Sequence, residues 1–228
     1  DFKLVENGEA VYLKTVDRNT QFFTSDLDGF NEMVLTNIDR FAPTSYRYNP
    51  GEKILYFTSP HERIRGISSN AAIVYSIDLN TQELRRVTTN TNNYGTIIPN
   101  FTGKKLLNLY TQRISNTNRT ILEAMDLNGE NRSEVRNIAG RSISQAIISD
   151  DGNIVYFYET SDSQSELYRF NIRDNNLRLV SSSANLEMFD TNFDGTRLLY
   201  MRRNPATGFN DLVLYINSTN ETRTLDEN

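Results

Sequence analysis

Apolar residues along this chain fall in short runs, and a turn that contains glycine introduces each run. The run recurs five times, after Gly8, Gly51, Gly103, Gly152 and Gly195. Short runs rich in β-branched and aromatic residues, bounded by polar turns, predict β-strands. Glycine suits such a turn because it adopts a positive φ at little cost. The pattern therefore predicts one turn and one strand, repeated five times.

A second feature follows each glycine turn: a strand that ends in Asp or Asn, then a short segment that closes on an aliphatic residue. The Asp and Asn residues are Asp26, Asp78, Asp126, Asn171 and Asn217, and the aliphatic residues are Leu35, Val87, Val135, Val180 and Leu225. The separation is 9 residues in the first four pairs and 8 in the last, whereas the steps between glycines are 43, 52, 49 and 43 residues. Length variation is therefore confined to the loop between the two strands.

One more candidate strand precedes each glycine, at Phe2 to Val5, Ser45 to Tyr48, Thr96 to Ile98, Ser144 to Ile148 and Met188 to Thr191. Four short strands per repeat are typical of a propeller blade. The sequence therefore predicts an all-β fold, a β-propeller of five blades with four antiparallel strands each. Because such blades bury apolar surface only against their neighbours, we expect a single domain over 1–228, with blades at 1–37, 38–89, 90–137, 138–182 and 183–228.

The segment from Thr120 to Ile138 also permits a helix, since Leu122, Met125 and Val135 form part of an apolar stripe. Turn-forming residues at 126–131 interrupt that stripe. We therefore interpret the segment as a β-hairpin.

The repeat resembles a known family. Residues 149–157, Ser-Asp-Asp-Gly-Asn-Ile-Val-Tyr-Phe, followed by Glu-Leu-Tyr-Arg-Phe-Asn at 166–171, resemble the Ser-Pro-Asp-Gly repeat of TolB-type propellers, distant relatives of WD-repeat propellers. Residues 73–88 resemble the second half of such a blade. The proline of the motif is present only as Pro50, and the α/β domain and sixth blade of TolB itself have no counterpart here.

The resemblance implies a propeller domain of a bacterial envelope protein, periplasmic or otherwise extracytoplasmic or secreted, with further domains in the full-length protein. Together with the lack of a catalytic constellation in the sequence, it favours a non-catalytic module that binds a protein or peptide partner. Two alternatives stay open: an enzyme, a hydrolase or lyase, with its site in the central channel, and a gating propeller of a prolyl-oligopeptidase-like peptidase.

Composition excludes several classes of partner and of site. The net charge is −5 and the isoelectric point about 5.1, which argues against nucleic acid, because nucleic-acid binding relies on basic surface. No apolar run approaches the roughly 18 residues of a membrane-spanning helix. The chain has no cysteine, so thiolate metal sites and cysteine nucleophiles are excluded.

Candidate chemistry is sparse. His61 is the only histidine and no Gly-x-Ser-x-Gly motif occurs, so we predict no hydrolase triad and treat His61 as a loop residue. Residues 26–32 suggest the start of a calcium loop but lack a third ligand at the proper spacing, which favours an ordinary turn. We predict no metal and no cofactor. A channel enzyme would use Glu6, Glu187 and Asp190.

Basic residues indicate a binding face. The loops from the second to the third strand carry Lys14 and Arg18 in blade 1, Arg63 and Arg65 in blade 2, Arg113 and Arg119 in blade 3, and Arg202 and Arg203 in blade 5. Blade 4 has none in this loop. Arginine suits recognition of carboxylates, and loops on one face of a repeat protein often form its binding surface.

Aromatic residues are expected at the channel mouth of the same face, either as peptide anchors or as packing between blades. They are Tyr46, Tyr94 and Phe189, with Arg47 beside them. The complete predicted binding set is Arg18, Arg47, His61, Arg63, Arg65, Tyr94, Arg113, Arg119, Phe189, Arg202 and Arg203.

Overall fold

The structure is a computed structural model, and the residues it describes are 2–5, 9–17, 19–36, 45–49, 51–60, 72–88, 95–161, 164–183 and 186–226. Regular structure in these ranges consists of twenty β-strands, arranged as five four-stranded antiparallel sheets in which the strands follow chain order. The predicted five-bladed β-propeller is confirmed. No helix in the described ranges is long and apolar enough to cross a membrane.

Chain contacts divide the protein into two compact units, Asp1–Ile97 and Ile98–Asn228. The first contains blade 1 and blade 2. The strands of blade 1 are β1 (Phe2–Val5), β2 (Glu9–Val16), β3 (Asn19–Asp26) and β4 (Met33–Val34), and those of blade 2 are β5 (Ser45–Asn49), β6 (Ile54–Pro60), β7 (Ala72–Asp78) and β8 (Leu84–Arg86). Their shared core includes Phe22 and Phe57, whose ring centroids are 5.0 Å apart.

The second unit contains nearly all of blade 3 and the whole of blades 4 and 5. Blade 3 has β9 (Gly95–Asn100), β10 (Lys105–Ile114), β11 (Thr117–Asp126) and β12 (Ser133–Ala139); blade 4 has β13 (Ser142–Ile148), β14 (Ile154–Thr160), β15 (Ser165–Asn171) and β16 (Asn176–Ser183); blade 5 has β17 (Leu186–Thr191), β18 (Arg197–Arg203), β19 (Asn210–Ile216) and β20 (Glu221–Asp226). The expected hairpin at Thr120 to Ile138 is confirmed by β11 and β12. That residues 1–228 form a single domain stays a prediction.

Blade 4 is packed on both faces. Val155 and Phe157 of β14 belong to a core shared with blade 3, whereas Ile154 and Tyr156 belong to a core shared with blade 5. Successive side chains of a strand point to opposite faces, so a strand buried on both sides needs apolar residues at every position. This explains the unbroken run from Ile154 to Phe157.

The glycine turns differ from expectation in two blades. Gly152 and Gly195 have φ of 74° and 64°, as predicted, but in blades 2 and 3 the positive φ belongs to Lys53 and Lys104 instead. The prediction that glycine supplies the positive φ is therefore wrong for Gly51 and Gly103. At Gly103 the reason for glycine is close packing, because a Cβ there would lie 2.6 Å from the backbone nitrogen of Gly152 in the next blade.

Candidate functional site

The loops from the second to the third strand lie at corresponding ends of blades 3, 4 and 5. In blade 4 the last pair before this loop is Thr160 opposite Ser165, and in blade 5 it is Arg203 opposite Asn210. The β12–β13 connection approaches the same end of blade 4, because Ser142 at the start of β13 pairs with Thr160. We refer to this end of the three blades as the loop end.

A polar cleft of about 400 Å³ opens between blades 3 and 4 at the loop end. Its lining combines hydroxyls, one amide and one guanidinium, from Asn118, Thr120, Gly140, Arg141, Ser142, Thr160 and Ser161. Gly140 adopts a φ of 71° in the connection from β12 to β13, which brings the chain back so that the Thr120 hydroxyl donates to the Arg141 carbonyl at 2.8 Å. The cleft therefore lies at the point where the chain passes from one blade to the next.

Two serine hydroxyls at the cleft share one hydrogen-bond partner, the hydroxyl of Thr160. The Oγ atoms of Ser142 and Ser144 each lie 2.8 Å from Oγ1 of Thr160. Within the described part of the chain, neither serine is bonded to a carboxylate or an imidazole that would activate it as a nucleophile. These hydroxyls are suited to donate and accept hydrogen bonds.

Beneath the cleft, blade 4 presents two carboxylates to blade 3. Glu159 of β14 and Glu166 of β15 are directly opposite each other on neighbouring strands, and the Glu159 side chain is 0% exposed. Two like charges at this spacing repel each other. Arg136 of β12 donates to Glu159, and Arg141 bridges the pair by donating to Glu166 and, at 3.3 Å, to Glu159. We call these four residues the inter-blade ion cluster.

The hydrogen bonds of the cluster shift the pKa values of the groups that form them. The hydrogen bond from Arg141 lowers the pKa of Glu166, and Glu166 and then Glu159 raise the pKa of Arg141. Burial raises the pKa of Tyr168, whose hydroxyl donates to Glu166 at 3.1 Å. Arg141 stays protonated, but Glu166 and Glu159 balance its charge, so with its side chain 37% exposed it contributes guanidinium N–H donors to the cleft.

The predicted arginines of blade 3 are at the loop end but differ in their contacts. Arg113 is exposed and reaches only Asn116, at 3.5 Å. Arg119 bonds within its own blade, donating to the side chain of Asn137 at 2.5 Å and to its carbonyl at 3.1 Å. Arg113 therefore offers a charge to a partner more readily than Arg119 does.

In blade 5, Arg203 is exposed, and Arg202 lies on the face that packs against blade 4, opposite Asp211. By strand register, Arg202 and Asp211 occupy the positions that Glu159 and Glu166 have in blade 4. One arginine in blade 5 thus replaces a buried glutamate in blade 4.

The other predicted residues that the structure describes lie on the innermost strands, β5 and β17. Arg47 donates to the carbonyl of its neighbour Tyr46 at 2.8 Å, and Phe189 is half exposed where the pairing of β17 with β18 is irregular. Glu187 and Asp190, the acids proposed for a channel enzyme, are exposed on the same strand. Within the described ranges, no three His, Cys, Asp or Glu residues are grouped as a metal site.

Several predicted residues lie outside the described residues. They are Arg18, His61, Arg63, Arg65 and Tyr94 of the binding set and Glu6 of the channel alternative. Their roles stay predictions.

Sequence reasoning did not find the inter-blade ion cluster. It searched the loops for arginine and found none in blade 4, although Glu159 and Glu166 flank that loop directly. Two features of the sequence could have indicated the cluster. Acidic residues flank the one loop that lacks arginine, and Arg141 follows a glycine between two predicted blades.

Comparison with known proteins supports the architecture. No protein-family model matches the sequence, and no curated protein matches it. Among solved structures, the chain aligns over 100% of its length with 36% of a prolyl endopeptidase (TM-score 0.67, 12% identity) and over 99% with 64% of an oligogalacturonate lyase in complex with manganese (TM-score 0.60, 12% identity). It aligns over 94% with 50% of TolB from Acinetobacter baumannii (TM-score 0.48, 16% identity).

The chain therefore spans between 36% and 64% of the length of these proteins. Likenesses at such identities concern the fold, and the neighbours include both enzymes and TolB. The β-propeller is what this chain shares with the endopeptidase and the lyase.

Proposed function

We propose that this propeller is a non-catalytic module that binds a protein or peptide at its loop end. The observation that carries the proposal is the polar cleft between blades 3 and 4, with the partly exposed guanidinium of Arg141 as a hydrogen-bond donor in its lining. An extended peptide presents backbone donors and acceptors in alternation, and the hydroxyls and amide of the cleft can satisfy both.

Charge favours an acidic partner. Arg113 and Arg203 are exposed at the loop end on either side of blade 4, so positive charge flanks the cleft on a chain of net charge −5. Arginine pairs well with carboxylates, and complementary charge raises association rates. We therefore assign the partner as a segment rich in Asp and Glu.

The proposal also includes the cellular compartment and the presence of further domains. The repeat at 149–157 and 166–171 resembles the TolB-type motif, which supports placement in the bacterial envelope, periplasmic or secreted. The full-length protein is then expected to carry further domains beside the propeller.

The test measures binding of fluorescein-labelled octapeptides in which serine alternates with glutamate, glutamine or lysine. Fluorescence polarisation should rank glutamate first, with binding about tenfold weaker for the lysine peptide, because several exposed ion pairs each contribute roughly 0.5–1 kcal/mol. Ser161→Tyr, which fills the cleft, and the double variant Arg113→Glu/Arg203→Glu should each abolish that preference.

Arg173→Glu is the matched control, since Arg173 is exposed in the turn at the other end of blade 4. Equal binding of all three peptides, or full binding by Ser161→Tyr, would contradict the proposal. Cleavage of the peptides, detected by mass spectrometry, would favour the enzyme alternative.

A further inference from the structure

The other face of blade 4 contains a buried cation. Arg169 of β15 is 9% exposed, and its Nε has no hydrogen-bond partner. No carboxylate among the described residues forms an ion pair with it. Buried arginine side chains are almost always paired, because an uncompensated charge in a low-dielectric interior is costly.

A second arginine stands directly beside it. Arg178 of β16 is opposite Arg169 in the antiparallel pairing, so both side chains are on the face that packs against blade 5. Arg178 is exposed and likewise has no ion pair among the described residues. Like charges directly opposite each other on a sheet repel, and no ion pair among the described residues offsets this repulsion.

The surroundings of the arginine pair are rich in hydroxyls. Tyr156 lies opposite Arg169 on β14, and Tyr215 of blade 5 lies edge-on to Tyr156 with ring centroids 6.3 Å apart. Burial raises the pKa of Tyr215, and the positive charges of Arg178 and Arg169 act in the opposite direction. The hydroxyl of Tyr200, a fully buried residue of the same core, has no partner.

Tyr156 accepts a hydrogen bond from Arg169, but no described side chain of this cluster carries a negative charge. Tyr156 already donates to the carbonyl of Gly195 at 2.8 Å, and the Tyr215 hydroxyl contacts Asn220 at 3.3 Å, so neither compensates the two positive charges. What the cluster lacks is a negatively charged acceptor of small size.

We propose that Arg169 and Arg178 bind a dianionic oxyanion of the phosphate class between blades 4 and 5. Phosphate and phosphomonoesters carry a charge of about −1.5 to −2 at neutral pH, which matches two guanidinium groups, and guanidinium forms paired hydrogen bonds with phosphate oxygens. Because Arg178 is exposed, the anion has access from solvent, and the phosphate of a larger ligand fits as well as the free ion.

This anion site is distinct from the polar cleft. Arg169 lies two residues before Asn171, at the end of blade 4 opposite to the loop end, and on the opposite face from Glu159. Loss of peptide binding at the cleft would leave the anion site intact, and the reverse also holds.

Isothermal titration calorimetry of the whole chain tests the proposal, at constant ionic strength, with sodium phosphate, glycerol 3-phosphate and acetate as separate probes. Phosphate should bind with a dissociation constant in the millimolar range or below, and acetate at least about tenfold more weakly, because it carries a single charge. Binding of glycerol 3-phosphate as well as phosphate would identify an open site for phosphomonoesters; binding of phosphate alone would identify a site for the free ion.

We expect two substitutions of the exposed Arg178 to leave the fold intact and to change the anion site. Arg178→Glu places a carboxylate opposite Arg169, so we expect phosphate binding to be lost and the melting temperature without phosphate to rise. Arg178→Gln should weaken phosphate binding about tenfold. Arg197→Glu is the matched control, since Arg197 is exposed on the opposite face of β18 from Tyr200. The proposal fails if the unmodified chain does not bind phosphate, if acetate binds equally well, or if Arg178→Glu binds as well as the Arg197→Glu control.

Discussion

Each face of blade 4 contains one buried charged side chain, and only the charge on the blade 3 face is paired with an opposite charge among the described residues. Towards blade 3, the fully buried Glu159 receives hydrogen bonds from Arg136 and Arg141. Towards blade 5, the buried Arg169 has no carboxylate partner among the described residues, and the nearest charge across the strands is another arginine. Both charges project from neighbouring strands of one sheet, so the difference comes from what the adjoining blade supplies.

The comparison separates a structural cluster from a ligand site. An ion cluster completed by the protein fixes how two blades pack, and its charges are already satisfied. A cation left without a counter-ion is satisfied only by something from solution. We place the peptide site at the exposed cleft above the ion cluster because the hydroxyls, the amide and the exposed part of the Arg141 guanidinium there are open to a partner.

The largest expected effect is on the blade 3 face. Glu159→Gln leaves Arg136 and Arg141 without their shared acceptor, and we expect it to lower the free energy of unfolding by roughly 2–3 kcal/mol. This is less than the 3–5 kcal/mol of a fully buried pair, because both arginines are partly exposed. Urea denaturation measures it. Glu166→Gln, at a more exposed carboxylate, is the control and should cost less; equal losses would contradict the assignment of Glu159 as the central acceptor.

Removing the buried charge on the blade 5 face should change the free energy of unfolding in the opposite direction. Arg169→Met removes an uncompensated buried cation, so in phosphate-free buffer we expect no loss of stability or a gain of about 1 kcal/mol. Urea denaturation with and without phosphate measures both states. A loss as large as that of Glu159→Gln would show that Arg169 is satisfied within the protein.

Acid should affect the blade 3 face. The folded pKa of Glu166 is lowered by Arg141, so its contribution to stability is present above the unfolded value of about 4.5 and is lost as the pH falls towards the folded value. The difference in urea midpoint between the unmodified chain and Glu166→Gln should therefore shrink from pH 7 to pH 3.5. An unchanged difference would contradict the ion pair.

Alkali should affect the blade 5 face, with the smallest effect. Burial raises the folded pKa of Tyr156 and Tyr215 above the unfolded value of 10.0, so the unfolded state loses these protons first and stability declines as the pH rises past 10. Tyr215→Phe should lose less stability between pH 8 and pH 10.5 than the unmodified chain. The unfolding midpoint at the two pH values measures this.

The candidate site was predictable only in part. Repeat spacing assigned Arg113, Arg202 and Arg203 to the loops after the second strand, whereas the structure has them within the last residues of β10 and β18, at the loop end of their blades, because these strands extend further than the apolar runs. The bond from Arg119 to Asn137 did not follow, because it depends on which residues of β11 and β12 are paired. The polar cleft and the ion cluster bring together residues of two blades, which no spacing within one repeat specifies.

The sequence by itself determined the fold of this protein. Strand periodicity, turn residues and repeat length act within a few residues of one another, so the innermost strands and the hairpin at Thr120 to Ile138 could be predicted locally. Only the tertiary structure decided which charges meet: Glu159 pairs with Arg136 across a blade boundary, and Arg169 has no acidic partner in the described part of the chain. Electrostatic energy depends on distance in space and on burial, and packing of separate sheets determines both.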